Sequence, residues 1–146
     1  MTGPGLIPGG VATDDRGRVY FANELDLSAC RRLYLVENFA AGTVRAWHAH
    51  RRERKWVLAV SGAALACCVE IDDWASPSAD AAVHRFVLDA SNPSVLAVPA
   101  GYANGAMSLA PKTKLLYVSD APLEASLDDD VRFPARHWDP WRVPER

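Results

Sequence analysis

The 146-residue sequence is short of several things, and each shortage closes off a class of function. No unbroken apolar run approaches the roughly 20 residues that a helical bilayer span requires, so no membrane partner is expected. Sixteen Lys and Arg stand against 18 Asp and Glu, for a formal charge of −2, and no basic stripe stands out. Nucleic acid is therefore not an expected partner. Cysteine is scarce, with only Cys30, Cys67 and Cys68 and no CxxC pair. An odd number, two of them neighbours that would face opposite sides of a strand, reads as reduced and structural. The first ten residues have neither the charged start nor the apolar core of a secretion signal, so a cytoplasmic location is expected. A convincing helical period over ten or more residues is also missing.

What is present is 49% hydrophobic and 23% charged residues, enough to build the core of one domain. Leu33 to Phe39, Val44 to His50, Lys55 to Val60 and Ala63 to Ile71 have strand composition, and so do Val83 to Leu88, Val95 to Val98 and Lys114 to Ser119. Turn signals separate them at Ser61-Gly62, Asn92-Pro93, Pro99-Ala100-Gly101 and Pro111-Lys112. Many short strands with regular turns predict an all-β barrel or sandwich, and a double-sheet jelly roll closes well at this length. A single domain over 1–146 is expected, with a barrel over about 13–122 and an irregular tail over 123–146. The tail, rich in charge, Pro and Trp, would fold over the barrel mouth or cross to a partner subunit.

His48 and His50 lie two apart on a predicted strand and so project from one face. On its own such a pair is equally compatible with a hydrogen-bonded structural role. Gly42, His48, His50 and Gly62 together resemble the first motif of the cupin superfamily, a jelly roll also described as a double-stranded β-helix. Lys55 stands where that motif has its Glu metal ligand. Pro99-Ala-Gly101-Tyr-Ala-Asn104 resembles the second motif, with Asn104 in place of the last His ligand. An ammonium repels a divalent cation, and an amide is a poor transition-metal ligand beside imidazole. The resemblance thus implies a pocket with no metal and no cofactor, lined by His48, His50, Lys55 and Asn104. Glu53 would reopen a metal site if a register bulge turned it inward.

Imidazole is the natural general base at neutral pH, and a lysine or tyrosine beside it can stabilise an enolate oxygen. Those parts suit removal of a proton α to a ketone. The chain also resembles the sugar-nucleotide cupins, namely the dTDP-4-dehydrorhamnose 3,5-epimerases and the dTDP-4-keto-6-deoxyglucose 3,4-ketoisomerases. Four segments carry this: Asp15-Arg16-Gly17, Val44-Arg45-Ala46-Trp47-His48, Val98 to Gly105, and Leu115-Leu116-Tyr117 followed by Asp128-Asp129-Asp130 and Arg132.

The resemblance implies an isomerase or epimerase acting on a nucleotide-linked 4-keto-6-deoxy sugar. His48 would be the base, His50 a second acid/base or orienting group, and Lys55 the enolate-stabilising cation. Arg45 and Arg16 would contact the diphosphate, and Tyr102 or Tyr117 would supply a phenolic acid. A homodimer is implied, with Arg16 completing the partner's site. Two family features are missing by position: a tyrosine soon after the last barrel strand, and an aspartate in a longer C-terminal segment that pairs with the base. His48-Ala49-His50-Arg51 is in turn closer to the ketoisomerases. A 3,4-ketoisomerase, a module that only binds a sugar nucleotide and a metal-dependent cupin remain as alternatives.

Overall fold

The computed structural model describes residues 3–146. In chain order its strands are β1 (Gly5–Pro8), β2 (Gly10–Asp14), β3 (Gly17–Phe21), β4 (Arg32–Asn38), β5 (Val44–Ala49), β6 (Lys55–Ser61), β7 (Ala63–Glu70), β8 (Val83–Asp89), β9 (Ser94–Val98), β10 (Tyr102–Ser108) and β11 (Thr113–Ser119). A short helix α1 (Leu123–Asp128) and a two-residue strand β12 (Val131–Arg132) follow. Two five-stranded sheets result, ordered β1-β9-β6-β11-β4 and β12-β5-β10-β7-β8, with β2 and β3 forming a separate hairpin. Every pairing is antiparallel, and sequence neighbours repeatedly fall in opposite sheets, which is the jelly-roll pattern that the sequence predicts.

The core lies between the sheets. Val57, Ala59, Leu96, Val98 and Leu115 of the first sheet meet Ala64, Ala66, Cys68, Leu88, Tyr102 and Ala106 of the second. A second apolar cluster covers the outer face of the second sheet, where Trp47, Ala49, Leu65, Cys67, Val69, Ala103 and Met107 pack under Trp138 and Trp141. That sheet is therefore buried on both faces, which explains why β7 is apolar without alternation. Cys67 and Cys68 face opposite sides, both buried and free. Burial pushes the Cys67 thiol up to about 12 and Cys68 higher still, so both are inert packing residues.

The structure departs from the sequence reading in three places. β10 occupies a stretch that reads as a loop, because Tyr102–Ser108 has no β-branched residue and contains Asn-Gly; full burial of all seven residues outweighs that propensity. The sheets begin at β1, before position 13, through a short edge strand that pairs with β9. The tail divides: Ser126 to Asp130 lie against Arg32, the Arg51–Glu53 turn and His48 at one end of the sandwich, and Trp138 and Trp141 dock across the outer face of the second sheet.

One irregularity sets the site. Asn104 pairs with His48 and Ala106 with Arg45, so β5 spends three residues where β10 spends two. This bulge turns Arg45 and His48 to the same face, where a regular strand would separate them. Gly105 lies opposite it. A Cβ added there would sit 2.5 Å from the Ala46 Cβ, so only glycine admits the approach. Gly105→Ala is expected to cost about 1–3 kcal/mol, as overpacking of a rigid site does, and urea denaturation checks it.

Candidate active site

His48 and Asn104 are cross-strand partners on the inner face of the second sheet, and the Asn104 amide donates to the His48 carbonyl at 3.1 Å. β12 pairs along the other side of β5 in the register Val131↔Ala49 and Arg132↔His48. That register brings Asp130 to the ring: its Oδ1 lies 3.5 Å from His48 Nδ1, while Oδ2 accepts from Arg132 Nε at 2.9 Å. The resemblance predicts no aspartate partner for His48 in a chain this short. The structure supplies one from the Asp128–Asp130 run, because two residues of β-pairing suffice to place it.

The charge state of His48 follows from its neighbours. Burial lowers its pKa most, the Arg132 guanidinium lowers it further, and Asp130 opposes both without cancelling them. Its ring is neutral at neutral pH and available to accept a proton. Burial alone would raise the Asp130 pKa, but Arg132 and His48 outweigh it and keep the carboxylate ionised.

Across the gap, the first sheet presents a buried ionic group. Glu53 turns inward, as the sequence allows, but toward cations: its Oε1 accepts from Ser119 Oγ at 2.5 Å and Arg32 at 3.3 Å, and lies 3.9 Å from Lys55 Nζ. Its Oε2 is 3.2 Å from His50 Nδ1, though not aligned for a hydrogen bond. Two cations against this carboxylate make a poor metal site. Burial and then Lys55 lower the His50 pKa, against the opposing pull of Glu53 and two aspartates. Lys55 also donates to the Tyr34 hydroxyl at 3.2 Å. The turn that carries Glu53 is tied to the tail, since the Asp129 carboxylate accepts from the backbone N–H groups of Arg51, Arg52 and Glu53. Burial would raise the Asp129 pKa, but these donors outweigh it.

Arg45 is anchored through Nε to Asn38 Oδ1 at 2.7 Å, and Asn38 in turn donates to Ser108 Oγ at 2.6 Å. This leaves the terminal guanidinium nitrogens for an anion. The structure thus gathers His48, His50, Lys55 and Asn104 at one end of the sandwich, while the Arg45 side chain runs along the inner face to Asn38, at the other end of β4 from Lys55. It does not gather the rest. Tyr102 is buried in the core beside His84, and the Glu70 carboxylate near its hydroxyl adds to burial in raising its pKa. Tyr117 packs against the core under Tyr34, and burial pushes its hydroxyl well up. Arg16 stands at the tip of the β2–β3 hairpin, its side chain 86% exposed and paired with Asp14. A cleft of about 700 Å³ between Tyr20, Phe21 and the β6–β7 turn lies at the far end of β6 from Lys55, about 20 Å away at strand rise. Tyr34, Arg32 and Asp130 are the members to which sequence reasoning gave no role, and Glu53 it turned inward only as a metal ligand. Only the inward alternation of Arg32, Tyr34, Val36 and Asn38 on β4 could have signalled the first sheet's share.

The opposing neighbours of His48 give a test with a sign. Asp130→Asn removes the group that raises the His48 pKa and should move its titration to lower pH; Arg132→Gln should move it to higher pH. Proton NMR of the imidazole across pH 4–8 checks both, and shifts in the same direction would refute the arrangement (about 1 unit is 1.4 kcal/mol).

Similar solved structures include a dTDP-4-dehydrorhamnose 3,5-epimerase from Bacillus anthracis str. Ames with TDP and PPi bound. It is 22% identical over 97% of this chain and 86% of that one, with a TM-score of 0.77. A 4-keto-6-deoxy sugar epimerase from the novobiocin biosynthetic gene cluster of Streptomyces spheroides is 18% identical over 97% and 73%, with a TM-score of 0.76. A variant of a 3,4-ketoisomerase from Thermoanaerobacterium thermosaccharolyticum, in complex with TDP, is 14% identical over 95% and 94%, with a TM-score of 0.68. At these identities the likeness shows the shared fold. No curated protein sequence matches the chain. The family model for dTDP-4-dehydrorhamnose 3,5-epimerase, however, matches residues 8–137, nearly the whole described fold, and the chain belongs to that family of dTDP-sugar isomerases.

Proposed function

We propose that this isomerase removes a proton α to the ketone of a nucleotide-linked 4-keto-6-deoxy sugar, with His48 as the base. The observation that carries this reading is the His48–Asp130 pair on one sheet facing the Lys55 ammonium on the other. A sugar ring held between the sheets would meet a neutral imidazole on one side and a fixed cation on the other. Asp130 holds the imidazole orientation and stabilises the imidazolium that forms on proton transfer. Lys55 offsets the charge that develops on the keto oxygen. Asn104 and Arg45 would orient the sugar and its phosphates. The structures of similar proteins hold TDP, which supports a nucleotide diphosphate at the open end of this site.

Epimerisation is favoured over ketone migration by the unequal reach of the two histidines. The His48 side chain is 39% exposed, whereas that of His50 is 5% exposed and set against Glu53. A proton shuttle between neighbouring carbons needs both rings at the substrate, and only His48 is presented. His50 is better placed as a buried support of the ionic group.

A homodimer completes the reading. The outer face of the first sheet exposes Leu33 (67%) and Leu35 (59%), with Leu116 and Leu58 in register beside Leu35. A contiguous apolar row across three strands is what a second copy would cover. Paired in this way, the β2–β3 hairpin is free to carry Arg16 to the diphosphate of the neighbouring site. No helix of the described residues is long and apolar enough to cross a membrane.

Proton NMR of dTDP-4-keto-6-deoxyglucose with the protein in heavy water should show deuterium entering at C3 or C5. His48→Ala should slow that exchange by about 100-fold or more, the share of a general base. Binding without exchange would instead favour a non-catalytic module. Light scattering should find a dimer, and Leu33→Asp combined with Leu35→Asp should shift it to monomer.

A further inference from the structure

Arg132 stands beside the base on the edge strand of the second sheet. It is the direct cross-strand partner of His48, and such partners project from one face with Cβ atoms about 5 Å apart. The residue before it takes the opposite side, since Val131 packs on the outer cluster. Asp130 and Arg132 therefore share the inner face with His48.

The guanidinium is only partly engaged. Its Nε donates to Asp130 Oδ2 at 2.9 Å, and among the described residues its terminal Nη groups have no protein acceptor. The side chain is 70% exposed, next to a histidine side chain that is 39% exposed. The other cations are committed elsewhere. Arg32 and Lys55 turn in against Glu53, Arg45 reaches away to Asn38, and Arg16 stands at the hairpin tip. A guanidinium fixed through Nε, with both Nη groups presented, is the geometry that takes a pair of phosphate oxygens.

Substrate connectivity brings a phosphate to this place. In a nucleotide-linked 4-keto sugar the acidic carbons, C3 and C5, each lie two bonds from C1, and C1 carries the sugar-proximal phosphate through one oxygen. A sugar whose C–H meets His48 thus has that phosphate within reach of the neighbouring strand. We propose that Arg132 is a substrate-binding residue, holding the sugar-proximal phosphate through its Nη groups beside His48. The proposal rests on the isomerase reading above.

Such a contact would act on the base as well as on affinity. The charged groups facing the imidazole are Asp130 and Arg132 on β12 and Lys55 on β6. Burial, then Arg132, and to a smaller extent Lys55 hold the His48 pKa down against Asp130. A phosphate on Arg132 brings negative charge that offsets part of this field. His48 is then the stronger base when substrate is seated and the weaker one when the site is empty.

Two ligands that cannot turn over, dTDP and dTMP, differ by the phosphate that would meet Arg132. By calorimetric titration the wild-type protein should bind dTDP more tightly than dTMP. In Arg132→Gln that preference should fall about 10-fold or more, the share of charge-assisted hydrogen bonds, and Arg132→Lys should recover part of it as a point charge. A preference in Arg132→Gln that stays at the wild-type value would overturn the proposal and leave the isomerase reading standing. Proton NMR of the wild-type imidazole is a second readout that needs no variant. Saturating dTDP should move the His48 titration to higher pH, while dTMP leaves it in place; a titration that dTDP does not move would also overturn the proposal. If the wild-type protein binds no dTDP at all, the nucleotide-sugar reading fails, and the proposal with it.

Discussion

Trp47 meets Trp138 edge-on, with centroids 5.4 Å apart, and Trp141 at a tilt, 5.0 Å away; its indole N–H lies within hydrogen-bond distance of the carbonyls of Ala135 and Trp138. Trp138 and His137 are tied in turn to the carbonyls of Ser78 and Pro77. This cluster clamps the tail to the outer face of the second sheet, and the rest of the site depends on it. With the tail docked there, β12 pairs with β5 and Asp130 reaches His48. Truncating one such tryptophan would remove about 3–5 kcal/mol of burial, enough to release the segment. His48 and Trp47 are chain neighbours on opposite faces of one strand, so structural support and chemistry back onto each other.

Charge is arranged with similar economy. Arg32 and Lys55 flank Glu53 on the first sheet, and Arg132 and His48 flank Asp130 on the second. The first group carries a net positive charge where an enolate oxygen would form. The second keeps the imidazole neutral, because burial and then the Arg132 charge outweigh the pull of Asp130 toward imidazolium. A base facing a cation is the arrangement that carbon-acid chemistry requires.

Much of this was legible in the sequence. Val44–Ala49 and Lys55–Ser61 alternate or carry β-branched residues at the right period, and the motif residues His48, His50, Lys55 and Asn104 converge because cupin spacing fixes which strands are neighbours. β10 was not legible, since its small residues answer to burial on both faces and not to propensity. The Arg45–His48 face was ambiguous for a local reason: a bulge reverses alternation, and its marker, Gly105, sits on the partner strand. Asp130 was hidden by distance, as a pairing that spans 82 residues leaves no periodic signature. Tyr34 reads as an ordinary strand aromatic until Lys55 is seen to donate to it.

Two adjacent residues of the tail hold different halves of this arrangement. Asp129 gathers three backbone N–H groups of the turn leading into Glu53, and Asp130 meets His48. One peptide bond therefore links the ionic group of the first sheet to the base of the second. A barrel that has closed while its tail is still loose would lack both at once, holding a pocket of roughly the right shape with no working base. Competence would then arrive in a single event late in folding, so partly assembled molecules would be silent toward reactive keto sugars.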